Sequence, residues 1–136
     1  METFLMQTKD TSLTEQELRK SVSDILKKGN FPVMYILKDK VAVECDDVIE
    51  WGQWMSAIPN NKRVGMTEMN QYKVSTVFLG TPHGFSKSMR ALFFETMVFD
   101  DGKDIYCKRS STWDKAEAQH KKAIGFVLDK ISKESE

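Results

Sequence analysis

At 136 residues, with 20 Lys and Arg against 20 Asp and Glu, the chain has the length of a single domain and no net charge. A neutral chain exerts no collective pull on polyanions, which excludes general nucleic-acid binding, and no apolar run approaches the roughly 20 residues that a membrane-crossing helix requires. The opening METFLMQTKDTS carries acids where a secretory leader needs basic residues, so it does not read as a targeting segment. Cys45 and Cys107 stand in predicted strands without ligand spacing around them, as expected of reduced thiols in a cytoplasmic protein.

The first helix is predicted over about residues 15 to 28. Thr14 and Glu17 have capping-box spacing, Leu13 and Leu18 can staple across them, Leu18, Val22, Ile25 and Leu26 share a face, and Gly29 supplies a stop. VMYIL and VAVEC then read as a hairpin across Lys38-Asp39-Lys40, because β-branched and aromatic residues fill both runs and charged ones gather between them. Asp46 or Asp47 opens a second helix in which Val48, Trp51, Trp54, Met55 and Ile58 recur at three- and four-residue steps before Pro59. Those two tryptophans either anchor the short helix on the sheet or form a stacking platform for a ligand or partner.

RVGMTEM and KVSTVFLG form a second predicted hairpin across Asn70-Gln71-Tyr72. TPHGFSKSMR, residues 81 to 90, lacks periodicity and reads as an exposed loop of the kind that carries function. ALFFETMVF and KDIYCKR flank an Asp-Gly hairpin signal at Asp100-Asp101-Gly102. Ser111 or Thr112 caps the last helix, whose inner face is Ala116, His120, Ala123, Ile124, Val127, Leu128 and Ile131. The expected fold is α+β: an antiparallel sheet of about six strands with three helices packed mainly on one face, a two-layer sandwich. The strand over 91 to 99 is apolar on both faces and should be central.

That central strand places Glu95 among Phe93, Met97 and Phe99, where an ionised carboxylate needs a donor. Ser75, Thr76, His83, Arg63 and Lys73 are the candidates. A His83–Glu95 contact with Ser75, Thr76 or Ser86 as third member would be a support pair for acid/base or nucleophilic work, although no nucleophile elbow or phosphate-cradling glycine loop accompanies it. His120, at helical spacing with alanines, is expected to be a hydrogen-bonded packing residue, and no metal or cofactor signature is present. If Lys87, Arg90, Lys108 and Arg109 converged on one rim of the sheet with Trp51 or Trp54, with His83 also a candidate, they would make a pocket for a small anionic ligand such as a nucleotide.

From Asp47 onward, DVIEWGQWM, KRVGMTEM, KVSTVFLGTPHGF, ALFFETMVFDDG and STWDKAEAQH resemble a set of small uncharacterised proteins encoded by bacteriophages and prophages. The resemblance implies a family-like core over 46–132, with residues 1–45 as a helix-plus-hairpin extension of one domain spanning 1–136. It also implies a virus-encoded protein of the host cytoplasm, with no established activity. Thr81-Pro82-His83 stands where relatives carry a Leu-Asp-His loop, and Asp100-Asp101-Gly102 where they carry a Gly-Gly turn. The leading expectation is an accessory protein for host takeover or counter-defence that binds a host protein or a small signalling nucleotide without catalysis. The alternatives are a small hydrolase or nucleotide-modifying enzyme using His83 and Glu95, and a minor virion component that self-associates through the Trp51/Trp54 face.

Overall fold

The computed structural model describes residues 14–18, 20, 33–57 and 61–135. Thr14 and Glu17 cap each other, the Thr14 N–H donating to Glu17 Oε1 and the Glu17 N–H to Thr14 Oγ1, both at 3.0 Å, and residues 15–18 and 20 are helical. The remainder of that helix, its Gly29 stop and Leu13 of the staple lie outside the described residues, as do Ile58 and Pro59. The elements that follow are β1 (Met34–Lys38), β2 (Val41–Cys45), α1 (Val48–Ser56), β3 (Arg63–Met69), β4 (Tyr72–Phe78), β5 (Phe94–Asp100), β6 (Lys103–Ser110) and α2 (Trp113–Glu134).

The fold is α+β and every strand pairing is antiparallel. The six strands divide into a two-stranded sheet, β1-β2, and a four-stranded meander, β3-β4-β5-β6, in which β5 is internal. The tight turns explain the β1-β2 and β5-β6 hairpins. Asp39 and Lys40 both take positive φ (50° and 66°), as do Asp101 and Gly102 (52° and 88°), the backbone that two-residue hairpin loops need to match strand twist. The β1-β2 hairpin is tied to the meander by the Tyr35 N–H donating to the Gly80 carbonyl at 2.7 Å. Gly80 has φ 79°, and a Cβ there would lie 2.9 Å from the Met55 side chain, so only glycine lets α1 and the hairpin close on this point.

The helix α2 lies across all four strands of the meander, while α1 rests on the hairpin. Between α2 and the sheet the core has two apolar compartments. One gathers Tyr72, Val74, Val98, Ala123 and Val127, and the other Phe78, Phe94 and Ala116 with Trp54, Phe93 and Trp113 against them. Phe78 and Phe94 are essentially fully buried, each worth about 2–3 kcal/mol of apolar transfer. Strand alternation and helix periodicity place a polar layer between the compartments: Thr76 on β4, Thr96 on β5 and His120 on α2.

Candidate functional site

Three polar features of this frame carry chemistry, and the sequence-expected residues are distributed among them. The first is the polar layer. His120 Nδ1 is 2.7 Å from Thr76 Oγ1, which is itself 2.7 Å from Thr96 Oγ1, and His120 Nε2 is 3.0 Å from Thr67 Oγ1. Thr76 and Thr96 are completely buried. Burial holds the His120 pKa below its ordinary value, so the imidazole is neutral near pH 7 and its two nitrogens divide donor and acceptor roles between hydroxyls. Gly65 makes the space, since a Cβ there would stand 3.1 Å from the ring. This is the packing histidine expected from its helical spacing.

The second feature is Glu95, on the opposite face of the sheet. Its partner is none of the donors anticipated. Arg109, directly opposite on β6, donates Nε–H to Glu95 Oε2 at 3.1 Å, and the Cys107 thiol lies 3.5 Å from the same oxygen. Burial first, and then the Glu95 charge, push the Cys107 thiol pKa upward. The set His83, Glu95 and Thr76 is therefore not assembled. Thr76 pairs with Thr96 and faces α2, whereas Val77 is the residue opposite Glu95, so strand alternation turns Thr76 and Glu95 to different faces. His83 is exposed in the 79–93 loop, held by its backbone N–H to the Leu92 carbonyl.

Of the two readings of the tryptophans, the contacts fit the anchor. Trp51 donates its indole N–H to the Gly80 carbonyl at 3.3 Å, and Trp54 meets Phe78 edge-on at 5.7 Å, so both half-buried indoles anchor α1 onto the body of the protein. Lys87 and Arg90 are exposed on the 79–93 loop, whereas Arg109 borders a cavity.

That cavity, of about 280 Å³, is the third feature, and it lies where β6 runs into α2. Ser86 of the loop, Arg109, Ser110 and Ser111 at the strand end, and Lys115 and Lys122 of α2 line it, with no acidic side chain. Local sequence explains the arrangement. Thr112 caps α2 by accepting the Lys115 N–H at 3.2 Å, which sets the helix start directly after Ser111. Lys115, Ala118, Gln119 and Lys122 then fall on one flank at i, i+3, i+4 and i+7. The Gln119 amide donates to the Tyr106 hydroxyl, which holds this flank against β6.

Neither lysine has an ion-pair partner among the described residues, and Arg109 retains guanidinium donors beyond the one given to Glu95. The first turn of α2 adds the positive end of a 22-residue helix. Ser110 is 9% exposed, and its hydroxyl is buried without a hydrogen-bond partner among the described residues. The site offers positive charge and hydroxyl groups, the complement of a small anion.

Sequence reasoning missed Lys115 and Lys122 as one flank of α2. The available signal was their seven-residue spacing immediately after the Arg109-Ser110-Ser111 strand end. Among the described residues, no group of His, Cys, Asp or Glu is placed to hold a metal ion, and no helix is long and apolar enough to cross a membrane. Compared with protein-family models, curated proteins and solved structures, the chain matches none.

Proposed function

We propose that the protein is an accessory binding protein for a small anionic ligand, acting without catalysis, and that its setting is the host cytoplasm during phage infection, as the sequence resemblance implies. The observation that supports this reading is the cavity at the β6–α2 junction, lined by Lys115, Lys122 and the Glu95-paired Arg109 with no acidic residue in its wall, and with the Ser110 hydroxyl unpartnered among the described residues. Three cationic residues lining one small cavity attract an anion more strongly than scattered surface charges do because their attractions add at one point, and because all three are exposed that attraction is screened by salt. Serine hydroxyls give such an anion directed hydrogen bonds. Phosphate oxygens, which accept several donors at once, fit this set better than a single carboxylate. The alternative of hydrolysis by His83 and Glu95 lacks support from geometry, since the two side chains occupy an exposed loop and an ion pair respectively.

Calorimetric titration with inorganic phosphate tests the reading. The wild-type chain should bind phosphate with an affinity that falls as salt rises. Lys115→Ala combined with Lys122→Ala should weaken binding by roughly tenfold or more, as loss of two nearby charges predicts. A wild-type chain that gives no binding, or a double variant that binds as tightly as the parent, would overturn it.

A further inference from the structure

A second cavity opens on the other side of Ser111. It has a volume of about 190 Å³ and is walled by Lys40 and Ala42 from the β1-β2 hairpin, Phe93 before β5, and Thr112 and Trp113 at the start of α2. Ser111 lines both cavities, so the two meet at one residue. Their chemistry differs: the first is basic and rich in hydroxyls, whereas the second is an aromatic slot. Trp113 packs edge-on against Phe94 at 6.2 Å, and the Lys40 ammonium sits 5.3 Å from the Trp113 ring centroid. The Trp113 indole N–H is buried without a hydrogen-bond partner among the described residues. An indole nitrogen only donates, so its complement is an acceptor.

Resting on the reading of the basic cavity as an anion site, we infer that the ligand is a nucleoside phosphate, with its phosphate on Arg109, Lys115 and Lys122 and its base in the slot against Trp113. Each part of the slot contributes to this choice. A sugar phosphate has nothing apolar to place beside Phe93 and Ala42. An acyl phosphate has an apolar tail but no ring acceptor for the indole N–H. A nucleobase is flat, stacks on or beside aromatic rings, and carries ring nitrogens or carbonyls as acceptors at its edge. Lys40 also lines the slot, where its ammonium can make a cation–π contact with a base as it does with Trp113. The two cavities, of about 280 and 190 Å³, have the size for one small ligand.

The test compares inorganic phosphate, ribose 5-phosphate and the four ribonucleoside 5′-monophosphates on the full chain by calorimetry, with the indole N–H resonances followed by nuclear magnetic resonance. The chain has three tryptophans, so Trp51 and Trp54 serve as internal controls for Trp113. At least one mononucleotide should bind tenfold or more tightly than ribose 5-phosphate and shift the Trp113 resonance while leaving the other two in place. Trp113→Phe, which keeps a ring and removes the donor, should bring that mononucleotide's affinity down toward that of ribose 5-phosphate and leave phosphate binding unchanged. Mononucleotides that bind no more tightly than ribose 5-phosphate, or that bind without moving the Trp113 resonance, would overturn the slot assignment while leaving the anion site standing. Failure of every probe to bind would remove both.

Discussion

Acidification should loosen the contact between α2 and the sheet through His120, and the size of the effect follows from its surroundings. The imidazole is hydrogen-bonded to Thr76 and Thr67, whose hydroxyls do not ionise, so no carboxylate compensates a proton on the ring. Burial lowers the folded-state pKa below the unfolded value of about 6.5. The unfolded chain therefore takes up its proton first as pH falls. The contribution of the neutral imidazole is complete above about pH 6.5 and is lost as pH drops toward the lower folded-state value, at up to about 1.4 kcal/mol per pH unit. Urea unfolding followed by tryptophan fluorescence at pH 7, 6 and 5 measures this, with His120→Gln as the reference, because the carboxylates common to both proteins cancel in the difference. Wild type should lose more stability than the variant between pH 7 and pH 5. Parallel losses in the two proteins would refute the assignment of a neutral, half-buried imidazole. A companion change, Thr76→Val, preserves shape but leaves His120 Nδ1 and the Thr96 hydroxyl without their shared partner, which should cost about 2–5 kcal/mol at pH 7.

Other outcomes follow from the same contacts. Gly65→Ala places a methyl group 3.1 Å from a His120 ring that two hydrogen bonds hold in position, so thermal unfolding should show a loss of about 1–3 kcal/mol, relieved in the Gly65→Ala/His120→Ala pair. Glu95→Gln should leave the fold intact and cost less than about 1 kcal/mol by denaturant titration, since the Arg109 side chain of the ion pair is 41% exposed and well screened. The same substitution removes the carboxylate that helps hold the Cys107 pKa up, so alkylation of Cys107 by iodoacetamide at pH 7.5, read by mass spectrometry, should quicken relative to wild type.

The fold was legible in the sequence where local chemistry decides it. Thr14 with Glu17, Asp47, Thr112 and the Asp101-Gly102 turn behave as caps and turn formers whatever packs around them, and the antiparallel pairings of β3 with β4 and of β5 with β6 follow from the tight turns that join them. The division of the strands into two sheets was not legible, because β2 and β3 are separated by α1 and nothing local says whether their edges meet. The site was legible only in part. His120 could be placed by helical period alone, but pairing Glu95 required the register of β5 on β6, which sets Arg109 opposite it. Register is a property of two strands, and the hydrophobic alternation of each accommodates a two-residue slip without changing face. The tryptophans illustrate the converse. Their spacing marked them as one face of α1, but whether that face met the protein or a ligand depended on Gly80 and Phe78, distant in the chain. The basic cavity joins a loop, a strand end and a helix flank, and no single window of sequence holds all three.

The most direct measurement of the central claim is a backbone amide chemical-shift map of the full chain titrated with inorganic phosphate. The cavity account predicts saturable shifts concentrated at Ser110, Ser111 and the first turns of α2 through Lys122, with Ser86 of the loop responding and the α1 amides around Trp51 and Trp54 unmoved. Shifts centred on α1 or on the exposed 79–93 loop alone, or no saturable shifts at all, would contradict it.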